Sequence, residues 1–285
     1  MKKVALVTGA STGLGISISI QLAAKGYAVY ATMRNLEKKS QLQEAAETAG
    51  VSLEIKQLDV QDTASVDRCV SEIVNIEGSI DVLVNNAGSG FIRSTEQATE
   101  EDIQWVMDVN FMGVVRCTKA VMPHMRKQRS GHIVNISSVG GLVGQPFNEI
   151  YCAAKFAVEG YTESMASYIQ PSFNINFTAV EPGGISSDFA TNALKHFEGT
   201  GGMADDEYRP ILESYLGSAS RGIEGLYQTS DQVAEVVVKC IESPEPPVRT
   251  RTSEWSNTFC ELKTQSDPTG KIQQARVIES FLSRG

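Results

Sequence analysis

No apolar run in this chain approaches the ~20 residues that a helix needs to cross a bilayer, so a membrane span is not expected. The opening MKKVALVTGAS reaches Gly9 before an apolar leader core can develop, so no secretory leader is expected either. CxxC pairs and zinc-ligand spacings are missing. Cys69, Cys117, Cys152, Cys240 and Cys260 are scattered and odd in number, the pattern of reduced thiols in a cytoplasmic compartment. With three histidines and no spaced Cys/His set, a zinc centre is disfavoured. Basic charge is also short: a formal net charge of −9 over 285 residues opposes a nucleic-acid-binding face. The one basic cluster, MRKQR at 125–129, reads as the end of a helix, where cations suit the dipole. No repeat, low-complexity tract or linker divides the chain.

What is present is an ordinary globular balance, 41% hydrophobic and 21% charged, enough for a sizeable core. KVALVT, YAVYAT, VSLEIKQLDV, IDVLVNN, HIVNISS and INFTAV read as strands separated by segments of helical periodicity. Strands this apolar are buried on both faces, which predicts a doubly wound, Rossmann-like parallel α/β sheet in a single domain. Past residue 185 the rhythm changes. Short amphipathic pieces over about 186–228 predict a C-terminal substrate lid, SDQVAEVVVKCIES a helix capped at Ser230 or Asp231, PEPPVRTRTS an extended return, and about 245–285 a tail ending in a helix.

The turn after the first strand carries Gly9, Gly13 and Gly15. Gly9 permits the tight turn, Gly13 lets backbone amides approach a pyrophosphate, and Gly15 lets the helix pack on the sheet. The helix N-terminus adds unpaired N–H groups for the anion. A carboxylate that would hold a ribose 2′-hydroxyl is absent from the end of the second strand, where Met33 and Arg34 stand; Arg34 suits a 2′-phosphate, hence NADP(H) rather than NAD(H). Asp59 and Val60 end the third strand, with Asp59 a candidate acceptor for the adenine amino group. Asn86, Ala87 and Gly88 end the fourth and are small enough for close approach.

Tyr151 and Lys155, four residues apart, share a helical face. A phenol titrates near pH ~10, too high for a base at neutral pH, and a neighbouring ammonium with the helix N-terminus is expected to lower it. So tuned, Tyr151 exchanges a proton with an alcohol or carbonyl oxygen, and Ser138 donates a hydrogen bond to the same oxygen. Asn110 falls on an apolar stripe and requires partners. It either holds a water linking Lys155 to solvent or satisfies local backbone. Val143 and Phe147 serve equally as pocket lining or core. His124 and His132 read as surface residues, His196 as a candidate substrate contact in the lid.

TGxxxGxG at 8–15, NNAG at 85–88, Asn110, Ser138, YxxxK at 151–155 and PGGISS at 182–187 together resemble the short-chain dehydrogenase/reductase family over residues 3 to 190. The resemblance implies a catalytic tetrad of Asn110, Ser138, Tyr151 and Lys155, with Lys155 also on the nicotinamide ribose. It places Pro182, Gly183, Ile185 and Ser187 beside the nicotinamide, Ser187 standing where the family often has threonine, and Leu14 among the cofactor contacts of the first turn. YATMRN and SVGGLVGQPFNEIYCAAKFAVEG are similar to the branch holding hydroxysteroid and retinol dehydrogenases, which implies NADP(H) with Thr12 near the 2′-phosphate. The expectation is an NADP(H)-dependent ketone reductase or alcohol dehydrogenase for a small molecule with an apolar body, assembled as a homodimer or homotetramer. An NAD-dependent dehydrogenase and a non-catalytic nucleotide sensor are the alternatives.

Overall fold

The computed structural model describes residues 2–221 and 227–281. Its centre is a seven-stranded parallel sheet. Strands β1 (Val4–Val7), β2 (Ala28–Met33), β3 (Glu54–Gln57), β4 (Val82–Asn85), β5 (Gly131–Ile136), β6 (Ile175–Glu181) and β9 (Arg249–Arg251) lie in the order β3-β2-β1-β4-β5-β6-β9. The reversal between β1 and β4 creates the crevice at their carboxyl ends where such sheets bind ligands. The extended return expected at 244–253 is the last parallel edge strand, paired to β6 through Val180↔Thr250. β3 is half as long as its apolar run suggested, because it is an edge strand and only half-covered.

Alternation along each strand feeds two cores. Ala5, Val7, Val29, Val84, Val134 and Val180 face helices α1 (Gly13–Ala24) and α9 (Ser230–Glu242) through Leu14, Ile18, Leu22, Val233 and Val237. Leu6, Tyr30, Leu83, Ile133 and Phe177 face α3 (Thr63–Glu77), α5 (Gly113–Gln128) and α6 (Glu149–Phe173) through Val70, Ile73, Val121, Met125 and Ile169. Each such fully buried aliphatic side chain stabilises by about 2 kcal/mol, so register, strand by strand, is strongly specified. The remaining helix of the first half, α2 (Ser40–Ala49), packs beside α1.

Two local readings need correction. α9 is capped by Thr229, not Ser230 or Asp231: its hydroxyl accepts from the Gln232 amide while Gln232 reaches back to the Thr229 amide. That reciprocal box satisfies two orphan donors and outcompetes a lone cap. His132 is no surface residue. It lies on β5, 5% exposed, with Nε2 2.9 Å from Thr178 Oγ1, and burial pushes its pKa down to about 3. Between α4 (Glu100–Met107) and α5 the chain widens into a π-helical turn, Asp108–Met112, a form that tends to mark functional positions.

The region expected to form the lid contains β7 (Ile185–Ser186), α7 (Asp188–Gly199), α8 (Arg209–Arg221) and β8 (Gln228–Thr229), with β7 and β8 paired in parallel. Its residues 222–226 lie outside the described residues, as do 282–285 of the tail. The tail adds α10 (Glu254–Thr264) and α11 (Lys271–Phe281). Among the described residues no helix is long and apolar enough to cross a membrane.

Candidate active site

The glycine turn is shaped to receive an anion. Gly9 has φ +69°, and a Cβ there would lie 2.7 Å from the Ala87 Cα, so β4 and the turn touch backbone to backbone. Gly13 also takes the left-handed region, at φ +53°. Thr12 occupies the N-cap of α1 in extended form, its side chain caps no amide, and no acidic residue stands in the first turn. The orphan N–H groups of that turn and the positive end of the dipole are therefore available, which fits a pyrophosphate. Asn86 proves to be the clamp of this turn rather than only a small neighbour: its Nδ2 donates to the carbonyls of Thr8 (2.9 Å) and Gly9 (3.0 Å). Thr8 Oγ1 in turn accepts from the amides of Asn86 and Ala87.

Around this cradle stand the other expected cofactor residues. Arg34 follows β2 and is exposed. Asp59 Oδ1 accepts from the Gln61 amide at 3.0 Å, an Asx turn that orients the loop after β3, and the Val60 carbonyl accepts from Arg116. Ser187 caps α7 and lies against the glycine turn, its Cβ 3.1 Å from where a Gly13 Cβ would be. Pro182 accepts from the Val139 amide at 2.9 Å, joining the ends of β5 and β6. A Cβ on Gly183 would strike the Trp255 ring and the Ser256 hydroxyl at 2.8–2.9 Å, which seats α10 on this loop. Ile185 packs on the core beside α1 and α9.

Ser138 and Tyr151 are brought together as expected. Ser138 follows β5 and caps the short turn Val139–Gly141, its hydroxyl accepting from the Gly140 amide, and its side chain stands near enough to the Tyr151 phenol to act on its titration. Lys155, one helical turn on, is 4% exposed; Nζ donates to the Ile136 carbonyl at 2.9 Å and sits 5.8 Å from the Tyr151 ring centre. Gly88 marks the meeting point: a Cβ there would be 2.9 Å from Asn110 Oδ1 and 3.5 Å from Lys155 Nζ.

The expected lowering of the tyrosine is not found in the protein's own groups. Burial pushes Tyr151 up to about 12, and the Ser138 side chain offsets only part of this. Burial pushes Lys155 down to about 8 despite the opposing charge of Glu159. Desolvation outweighs the pairing because both charged forms are removed from water. Asn110 satisfies local backbone. Its Nδ2 donates to Ser89 and Val106 carbonyls at 2.9 and 3.0 Å, and Oδ1 accepts from the Ser89 amide, so both N–H groups are occupied by backbone.

Val143 is half-buried with Val139, Leu142 and Cys260, whereas Phe147 is core: 4% exposed, packed with Phe197 and Leu212, and held at φ +59°. Three contacts escaped the sequence reading. Phe189 of α7 stands 5.9 Å from the Tyr151 ring, ring centre to ring centre. Arg93, 8% exposed, closes the far end of α7 by donating to the Thr200 carbonyl and hydroxyl. His196 stacks on Trp105 at 4.5 Å, so it is held by α4. No local pattern signals these pairings, because each joins segments dozens of residues apart.

Fold and crevice define a dinucleotide-binding α/β protein of the doubly wound class. The comparisons narrow this. The family model described as short chain dehydrogenase matches residues 3–197, and the chain belongs to this family of nicotinamide-dependent oxidoreductases. It is 41% identical to retinol dehydrogenase 8 of Bos taurus, over 94% of this chain and 86% of that one. It is 35% identical to 17-beta-hydroxysteroid dehydrogenase type 1 of Homo sapiens, over 94% and 83%. Among solved structures, a variant of actinorhodin polyketide ketoreductase with NADPH superposes with TM-score 0.76 at 28% identity, covering 90% of this chain and 97% of that one.

Proposed function

We propose that the chain is an NADP(H)-dependent oxidoreductase acting between a ketone and the secondary alcohol of a small molecule with an apolar body. The observation that carries this is the Ser138–Tyr151 pair standing over buried Lys155 at the carboxyl end of β5. The cofactor, held by Gly9, Thr12, Gly13, Leu14 and Gly15 with Arg34 toward a 2′-phosphate, supplies or accepts the hydride. Pro182, Gly183, Ile185 and Ser187 flank its nicotinamide end.

Ser138 and Tyr151 bind the reacting oxygen. With its pKa at about 12, Tyr151 retains its proton and is suited to donate it to the carbonyl oxygen as the carbon receives hydride. Lys155, at about 8, is able to return a proton near neutral pH. Asn110 holds the loop after β4 in place rather than touching substrate. The helices α7 and α8 act as a lid, with Phe189 beside the Tyr151 ring. The retinol and hydroxysteroid relatives support an apolar substrate. The exposed Arg34, the absence of a carboxylate at Met33–Asn35 and the NADPH-bound ketoreductase support the phosphorylated cofactor.

Five free thiols suit a reducing, cytoplasmic setting, and the apolar groove between α5 and α6, with Met122, Tyr168 and Phe173, suits a homo-oligomer of single-domain subunits. Titrating NADPH and NADH into the protein and its Arg34→Ala variant tests the cofactor reading. NADPH preference that collapses in the variant supports it; equal binding of both, unchanged by the substitution, transfers the function to NAD(H).

A further inference from the structure

Beneath Lys155 lies a cluster of buried charge that the proposed reaction does not use. Glu159, one turn further along α6, is 6% exposed, and Glu181 at the end of β6 is fully buried. Both Glu159 oxygens, Glu181 Oε1 and Ser137 Oγ are buried with no hydrogen bond of good geometry, although Ser137 and Glu181 both stand near enough to the Glu159 carboxyl to act on its titration. Ser137 and Glu159 close on Gly141, where a Cβ would meet Ser137 Oγ at 2.6 Å, the Lys155 carbonyl at 3.0 Å and Glu159 Cγ at 3.1 Å. Buried polar atoms are almost always paired, so several orphans in one pocket require a reason.

The charge count supplies one. Glu181 pairs with Arg251 of β9 at 3.1 Å, and Arg251 is further held by Asn257 and the Pro268 carbonyl. Arg249, the other cation of β9, is engaged by Glu163 of α6. Cys260 of α10 borders the cluster as a neutral thiol, raised to about 11 by burial. Glu159 therefore faces Lys155 and Glu163 on its own helix, Glu181 and Arg251 from the sheet, and Ser137 and Cys260, and Glu181 already has the nearer cation. Two carboxylates so close and so dry do not both ionise. Burial, then Glu181, pushes Glu159 well above the usual carboxylate range, while Glu181 lies at about 7.

We propose that Glu159 is a positioning residue for Lys155: the Glu159–Glu181 pair carries one proton between its two carboxyls, and its release from Glu159 secures the Lys155 ammonium. The inference rests on the active-site reading of Lys155. As pH rises, the proton leaves Glu159 as well as Lys155, and the new carboxylate keeps the lysine charged further into the alkaline range. The two groups titrate as a coupled unit. Arg251 extends this unit to the C-terminal strand.

The test is the alkaline limb of kcat/KM for ketone reduction in the wild type, Glu159→Gln, Glu159→Asp and Lys155→Met, alongside infrared difference spectra across the same pH range. Glutamine copies the protonated acid and cannot ionise, so the limb of Glu159→Gln moves to lower pH by about one unit, and Glu159→Asp restores it. The wild type shows a protonated-carboxyl band that fades as pH rises and is missing from Glu159→Gln. Coincident limbs in Glu159→Gln and wild type, with Lys155→Met inactive, overturn the inference and leave the site reading standing. Full turnover in Lys155→Met overturns the site reading and the inference with it. If Glu159→Gln does not fold, the wild-type band and the aspartate limb decide: absence of the band overturns the proposal.

Discussion

Replacing Gly9 with alanine separates two costs that the structure assigns to the cofactor turn. At φ +69° an L-residue loses about 1 kcal/mol relative to glycine. The new Cβ would also lie 2.7 Å from the Ala87 Cα and 3.1 Å from its Cβ and N, all on a neighbouring segment clamped by Asn86 and Thr8. Backbone cannot swing aside as a side chain does, so the overlap adds about 1–3 kcal/mol. The reduced freedom of the unfolded chain returns about 0.5 kcal/mol, leaving a net loss of roughly 1.5–3.5 kcal/mol. Gly50→Ala is the control. Gly50 ends α2 at φ +64° with nothing within 4 Å of a new Cβ, so it meets the dihedral cost alone, about 1 kcal/mol or less. Urea denaturation of both variants gives the difference, and cofactor titration of Gly9→Ala gives the functional cost. Movement of amides aimed at a pyrophosphate weakens binding at least about tenfold, or 1.4 kcal/mol. Equal destabilisation by the two substitutions, with undiminished cofactor binding by Gly9→Ala, would show that the close approach of Ala87 to the turn carries no such cost.

Three further outcomes are expected. Asn110→Ala leaves the Ser89 amide and carbonyl and the Val106 carbonyl without their buried partner, and urea denaturation should show a loss of about 2–3 kcal/mol. Arg93→Met keeps the apolar stem but removes the donors that close α7, so amide exchange in residues 188–199 should quicken and ketone KM rise several-fold, with stability falling by about 2 kcal/mol. The folded-state pKa of His132, at about 3, lies below its ordinary value near 6.5, so its stabilisation is fully present above pH 6.5 and is lost as pH falls toward 3. That share declines by about 1.4 kcal/mol per pH unit in this window, and His132→Gln should flatten the acid-unfolding curve there.

The sheet was legible because its signals are local. Apolar runs of β-branched residues, a glycine turn and a 3.6-residue stripe each need only a short window, so β1 to β6 and the helices between them could be read in order. Tyr151, Lys155 and Ser138 were legible for the same reason, since a helix turn and a strand end fix their directions. Long-range consequences were not legible. Burial of Tyr151 depends on the segments that cover it, and desolvation reversed the pKa shift expected from Lys155 alone. His132 looks like a turn residue until Thr178, 46 positions away, receives its ring. Phe147 and Phe189 show the same limit in the lid, where side-chain directions follow from packing between α7 and the loops beneath it.

The most direct test of the central claim is NADPH oxidation with a panel of apolar ketones, wild type beside Tyr151→Phe, with NADPH binding measured separately in each. Ketone-dependent oxidation is expected of the wild type, with a loss of at least about a hundredfold in kcat for the variant while NADPH still binds. Undiminished turnover by Tyr151→Phe would contradict the assignment of Tyr151 as the proton donor.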